Sequence, residues 1–66
     1  MNQKKFTAIC EIKYDDSKSC DTLISDAINQ IYKNKYYEPY LNKNIIIIGM
    51  GFSNRQIKVK IEEFKS

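Results

Sequence analysis

The chain reads as an α/β protein of order β-α-β-β, a three-stranded mixed sheet with one main helix on one face. Three patterns carry that reading. Residues 5–14 alternate as a strand does, residues 21–33 carry an apolar stripe at helical spacing, and four consecutive isoleucines precede a second alternating stretch.

From Lys5 to Tyr14 the side chains divide with a period of two. Phe6, Ala8, Cys10, Ile12 and Tyr14 fall on one side, and Thr7, Ile9, Glu11 and Lys13 on the other. Asp15, Asp16, Ser17, Lys18 and Ser19 form a polar, turn-prone loop, and either Ser19 or Asp21 can accept backbone N–H bonds as the cap of a helix beginning near Asp21. Leu23, Ile24, Ala27, Ile28 and Ile31 then make one apolar stripe, while Ser25, Asp26, Asn29 and Lys33 point outward, so the helix runs to about Lys33. Residues 35–41 are aromatic-rich and hold the only proline, which predicts an irregular or one-turn helical segment whose tyrosines pack against the sheet.

After a turn at residues 42–44, the stretch from Asn44 to Met50 is expected as the central strand, covered on both faces, with Gly49 and Gly51 closing it where the backbone bends. A turn at Ser53, Asn54 and Arg55 leads into a strand from Gln56 to Phe64. There Ile57, Val59 and Ile61 alternate with Lys58, Lys60 and Glu62, which marks one wet face. The spacing predicts a right-handed crossover joining two parallel strands and a hairpin adding the third antiparallel, with one sheet face left open by the single helix.

Sixty-six residues make one domain, 1–66. A chain this short buries only about 60% of its unfolded surface, so a partner or a second copy would add needed burial. A hydrophobic content of 42% with five Tyr and three Phe excludes a disordered polymer. The net charge of +3 is a mild bias towards polyanions and does not by itself identify a nucleic-acid binder. Two cysteines and no histidine argue against a disulfide framework or a zinc site. The longest apolar run, Ile45 to Ile48, is far too short for a bilayer, and Met1-Asn2-Gln3-Lys4-Lys5 leads straight into a strand rather than a signal-peptide core, which predicts a cytoplasmic protein with no membrane partner.

Glu11 and Lys13, two apart on a strand, project from the same face. A carboxylate there can ligate Mg²⁺, and an ammonium can orient a water and stabilise a pentacovalent phosphate, as phosphodiester hydrolysis requires. The same tripeptide also describes a solvent-facing ion pair.

Taken in order, Glu11-Ile12-Lys13, Ala27-Ile28-Asn29-Gln30-Ile31, Lys33 with Tyr36-Tyr37, Pro39-Tyr40, Ile47-Ile48-Gly49-Met50-Gly51-Phe52 and Arg55-Gln56-Ile57 resemble the C-terminal half of a PD-(D/E)XK nuclease-superfamily domain of the type found behind AAA-ATPase-like regions. The resemblance spans about Phe6 to Phe64 and implies a restriction-endonuclease-like half-core. It implies Glu11 as a metal ligand for Mg²⁺ or Mn²⁺, Lys13 as the catalytic lysine and Gln30 as a helper from the helix. The family's preceding helix and hairpin, with the proline-aspartate motif and the second metal-binding acid, would lie upstream of Met1. The expected function is therefore a metal-dependent nuclease-like hydrolase module, incomplete alone, acting on nucleic acid with a partner chain or a second copy completing the fold. An inactive binding or homodimerising assembly module is the alternative.

Each residue also has a structural reading. Asp15 and Asp16 fit a solvated turn better than a replacement acid, and Gln30 beside an apolar stripe fits a boundary residue. Tyr36, Tyr37 and Tyr40 could stack on bases or pack in the core. Arg55, Lys43, Lys58, Lys60 and Lys65 could line one phosphate-attracting surface or guard an edge strand.

Overall fold

The computed structural model describes residues 6–64. The expected start of the first strand at Lys5, the Met1–Lys5 lead-in and Lys65 lie outside the described residues. Strand β1 spans Phe6–Tyr14, helix α1 Cys20–Lys33, a single 3₁₀ turn Glu38–Tyr40, β2 Asn44–Ser53 and β3 Gln56–Glu63. The sheet order is β1-β2-β3, with β1 and β2 parallel and β2 and β3 antiparallel. The fold is thus α/β, a three-stranded mixed sheet with one main helix.

Alternation decides which side chains the helix meets. Ile9 from β1, and Ile45 and Ile47 from β2, are buried beneath Ile24, Ile28 and Ile31, and Ile31 and Ile47 are fully enclosed. Cys20, Leu23 and Ala27 complete the buried stripe of α1. The helix starts at Cys20, one residue before the expected position, because Ser19 is the cap: its Oγ accepts a hydrogen bond from the Thr22 N–H at 3.1 Å. Ser19→Ala is expected to cost about 1 kcal/mol, read as a lower urea midpoint with an unchanged slope.

The helix ends in a Schellman arrangement. Lys35 adopts φ 53°, its N–H reaches the Tyr32 carbonyl, and the Tyr36 N–H reaches the Ile31 carbonyl. Of the tyrosines expected to pack on the sheet, Tyr37 does so indirectly, sealing the core end with Tyr32 and Phe64 at a Tyr37–Phe64 ring separation of 4.4 Å. Tyr36 and Tyr40 remain exposed, since the left-handed turn at Lys35 carries the chain back along the helix rather than under it.

Three expectations are corrected. The glycines do not close β2, which continues to Ser53; both lie inside the strand, beneath the helix. A Cβ on Gly49 would stand 2.7 Å from Ile28 Cγ1, and one on Gly51 would stand 2.5 Å from the Cys20 carbonyl oxygen. These positions lack side chains because α1 approaches the sheet closely there.

Second, β2 is covered on one face only. Ile46, Ile48, Met50 and Phe52 share the opposite face with Phe6, Ala8, Cys10, Ile12 and Tyr14 of β1 and Ile57, Val59 and Ile61 of β3, and no described residue covers them. Third, the apolar row of β3 is therefore as exposed as its lysine row: Ile57, Val59 and Ile61 are 50%, 49% and 65% accessible. Among the described residues, Asn44 and Glu63 bring polar side chains to this open face at one end, and the Tyr14 hydroxyl, bonded to Asp16, does so at the other.

The β2-β3 connection is a two-residue hairpin, Asn54 and Arg55, with φ 49° and 65°, matching a type I′ turn. It is tied to the β1-α1 loop. Asn54 N–H donates to Asp16 Oδ1 at 2.8 Å, and the buried Ser53 hydroxyl donates to the Lys18 carbonyl at 2.5 Å.

Candidate functional site

Glu11 and Lys13 point to the helix side of β1, where they stand opposite Gly49 and Gly51 on β2. The missing side chains on β2 let α1 sit low on the sheet and bring Gln30, on its last full turn, over the outer strand. Gln30 bridges the pair. Its Nε2 donates to Glu11 Oε1 at 3.1 Å, and its Oε1 accepts from the Lys13 ammonium. The amide orientation follows from charge, with the carbonyl end towards the cation and the NH₂ end towards the carboxylate.

Contacts from the helix end hold the amide. Tyr36 Oη accepts from Gln30 Nε2 at 3.2 Å and from Asn34 Nδ2 at 3.1 Å. Asn34 stands one turn beyond Gln30, so the two reach the same hydroxyl, and the left-handed Lys35 is what returns Tyr36 to them. The structure thus gathers Glu11, Lys13 and Gln30 and adds Asn34 and Tyr36. The i, i+4 spacing of Gln30 and Asn34 was the available signal for Asn34. Tyr36 depends on the αL turn, and a lysine there gives no such signal because glycine is the usual occupant.

Beside this cluster runs an open groove of about 500 Å³, lined among others by Lys13, Lys18, Lys33, Asn29, Gln30 and Asn34, with Asp15 and Asp26 also on its wall. Lys18 and Asp26 pair across 3.4 Å.

The loop acids are used elsewhere. Asp15 Oδ1 accepts from the Ser17 N–H at 2.9 Å and hydroxyl at 2.6 Å, and these bonds hold its carboxyl below the usual range. Asp16 accepts from Tyr14 and Asn54, and its hydrogen bond and charge raise the Tyr14 phenol. Both fit the turn reading.

The basic residues do not form one surface. Lys43 precedes β2 and Arg55 follows it, at opposite ends of a ten-residue strand, while Lys58 lies 3.6 Å from Asp21.

Glu11 is the only carboxylate in the cluster, and among the described residues no group of three His, Cys, Asp or Glu side chains comes together to hold a metal. One carboxylate is insufficient for Mg²⁺, which wants further hard oxygen anchors. The described residues by themselves therefore do not make up a metal site.

The fold and the cluster together define a small α/β module with a carboxylate and an ammonium bridged by an amide. No family model, curated protein or solved structure matches this chain. Among the described residues no helix is long and apolar enough to cross a membrane.

Proposed function

We propose that the chain is a PD-(D/E)XK nuclease-like module that binds and hydrolyses a nucleic-acid phosphodiester once a second carboxylate is supplied. The observation that carries this reading is the convergence of Glu11, Lys13 and Gln30 from a strand and a helix nineteen and seventeen residues apart in sequence. An ordinary surface ion pair needs no amide between its members.

The second acid has a natural place. No described residue pairs with the outer edge of β1, and a strand added there sets side chains about 5 Å from Glu11 on the same face. A Mg²⁺ held between Glu11 and that acid would polarise the phosphate. Lys13 reaches the same space and stabilises the charge that develops on the phosphate, Gln30 fixes the rotamers of both, and the lysines of the groove attract the backbone. The two unpaired cysteines fit a cytoplasmic setting.

The test is calorimetric titration of Mn²⁺ into the chain, with Glu11→Ala as control. Weak, saturable binding is expected in the native chain and none in the variant. Equal heats in both would remove Glu11 as a ligand.

A second reading, an assembly module without turnover, is favoured by one observation, the apolar sheet face that no described residue covers. The two readings use opposite faces of the sheet.

A further inference from the structure

We infer that the open sheet face is a self-association surface, occupied by the same face of a second copy of this chain. The inference names the partner of the assembly reading and rests on it; it does not require the nuclease reading.

Area argues for it first. Phe6, Ile12, Tyr14, Phe52, Val59 and Ile61 are between 38% and 69% exposed on this one surface. With each ring offering about 200 Å² and each aliphatic chain somewhat less, the face as a whole leaves roughly 700 Å² to be covered. A stable interface takes about 600–1,000 Å² from each partner, so two copies of this face fall within the range.

Charge distribution argues the same way. The chain carries a net charge of +3, and two copies would repel through any surface bearing those lysines. Lys13, Lys58 and Lys60 all lie on the helix side of the sheet, while among the described strand residues only Glu63, at a corner, brings a charge to the open face, and Asp16 meets the Tyr14 hydroxyl at the other end. Its described polar groups stand at the two ends, Asn44 and Glu63 at one and the Tyr14 hydroxyl with Asp16 at the other, and its centre, around Ile48 and Met50, is apolar, which matches the core-and-rim arrangement of interfaces. Face-to-face packing about a twofold axis near that centre gives a four-layer α/β/β/α sandwich with the sheets about 10 Å apart. The two Glu11-Lys13-Gln30 clusters then face outward on opposite sides, clear of the interface.

The structure also provides a reporter. Cys10 is exposed on the open face, with its sulfur 3.6 Å from that of Met50, whereas Cys20, the first residue of α1, is buried on the helix side of the sheet. A second copy would shield Cys10 and leave Cys20 unchanged.

The test combines sedimentation of the native chain from micromolar to millimolar concentration, thiol labelling of Cys10 over the same range, and the variants Ile12→Glu and Ile61→Glu. Both substituted positions are largely exposed, at 59% and 65%, so the variants should keep the helix content of the native chain by circular dichroism. Expected are a twofold rise in mass, protection of Cys10 that follows the dimer fraction, and association at least roughly a hundredfold weaker in each variant, since each buries a charge. Should a variant fail to fold, the labelling of native Cys10 still decides. A dimer that labels freely at Cys10, or that both variants leave intact, would overturn the face assignment. A monomer at all concentrations that binds an apolar dye such as anilinonaphthalene sulfonate would overturn the second copy while leaving the assembly reading standing. A monomer that binds no dye would overturn both.

Discussion

Gly51→Ala is expected to remove about 3 kcal/mol of stability. The added Cβ would lie 2.5 Å from the Cys20 carbonyl oxygen and 3.0 Å from Leu23 Cβ. Overpacking costs about 1–3 kcal/mol where side chains can turn aside, but here the obstacle is helix backbone, which moves only with the first turn of α1. That turn is anchored by Ser19 and by the buried Leu23, so relief is limited. A domain of this length has a total stability of roughly 3–10 kcal/mol, so a substitution of one methyl can unfold a large part of the population. At a urea slope of about 1 kcal/mol per molar, the midpoint should fall by roughly 3 M. Gly49→Ala should cost less, because its closest obstacle is the Ile28 side chain at 2.7 Å, which has rotamers to use. Equal midpoints for Gly51→Ala and the native chain would mean that α1 does not approach β2 this closely.

That glycine also marks where sequence reasoning stops. The element order and the helix stripe were legible because each rests on periodicity within one segment, and the pairings because a helical crossover joins parallel strands and a short turn joins antiparallel ones. The role of Gly49 and Gly51 was not, because a glycine at a strand end and a glycine under a helix look alike until the helix is placed over the strand. The covering of β2 failed for a related reason. Four consecutive isoleucines signal two apolar faces, and Ile46 and Ile48 are indeed apolar, but the pattern cannot tell a face covered within the chain from one left open. The alternation of β3 was read as one wet face and one dry; both rows are exposed, because no described residue covers the apolar one.

The site was legible to a different extent. A shared face for Glu11 and Lys13 follows from strand geometry alone. Gln30 came from the resemblance and not from spacing, since nothing in the sixteen residues between Lys13 and Gln30 sets a helix position over a particular strand. The packing of α1 on Gly49 and Gly51 makes that placement. Asn34 and Tyr36 joined the cluster through the helix end, where Lys35 takes a backbone conformation that its residue type does not advertise.

The second large effect concerns Lys13. In an assembly that supplies the missing carboxylate, Lys13→Ala should lower the rate of Mg²⁺-dependent phosphodiester cleavage by about 10³-fold, or roughly 4 kcal/mol of transition-state stabilisation. The reason is placement. The ammonium is held by Gln30 beside Glu11, so it is positioned before the phosphate arrives and need not be ordered during the reaction. Glu11→Ala should abolish cleavage through lost metal binding, so its defect should appear in Mn²⁺ titration as well, whereas Lys13→Ala should largely retain the metal. Gln30→Ala should show a smaller loss, because it removes the bridge and leaves both reacting groups present. Neither Glu11 nor Lys13 belongs to the buried core, so the helix content and urea midpoint of both variants should stay near native. The chain alone, with one carboxylate in the cluster, should leave DNA and RNA uncut. Cleavage by the chain alone that persisted in Lys13→Ala would place the chemistry elsewhere. Loss of cleavage in Lys13→Ala with native folding and metal binding would separate a working ammonium from a surface ion pair, since breaking an exposed pair alters stability by no more than about 1 kcal/mol and has no reason to alter a rate.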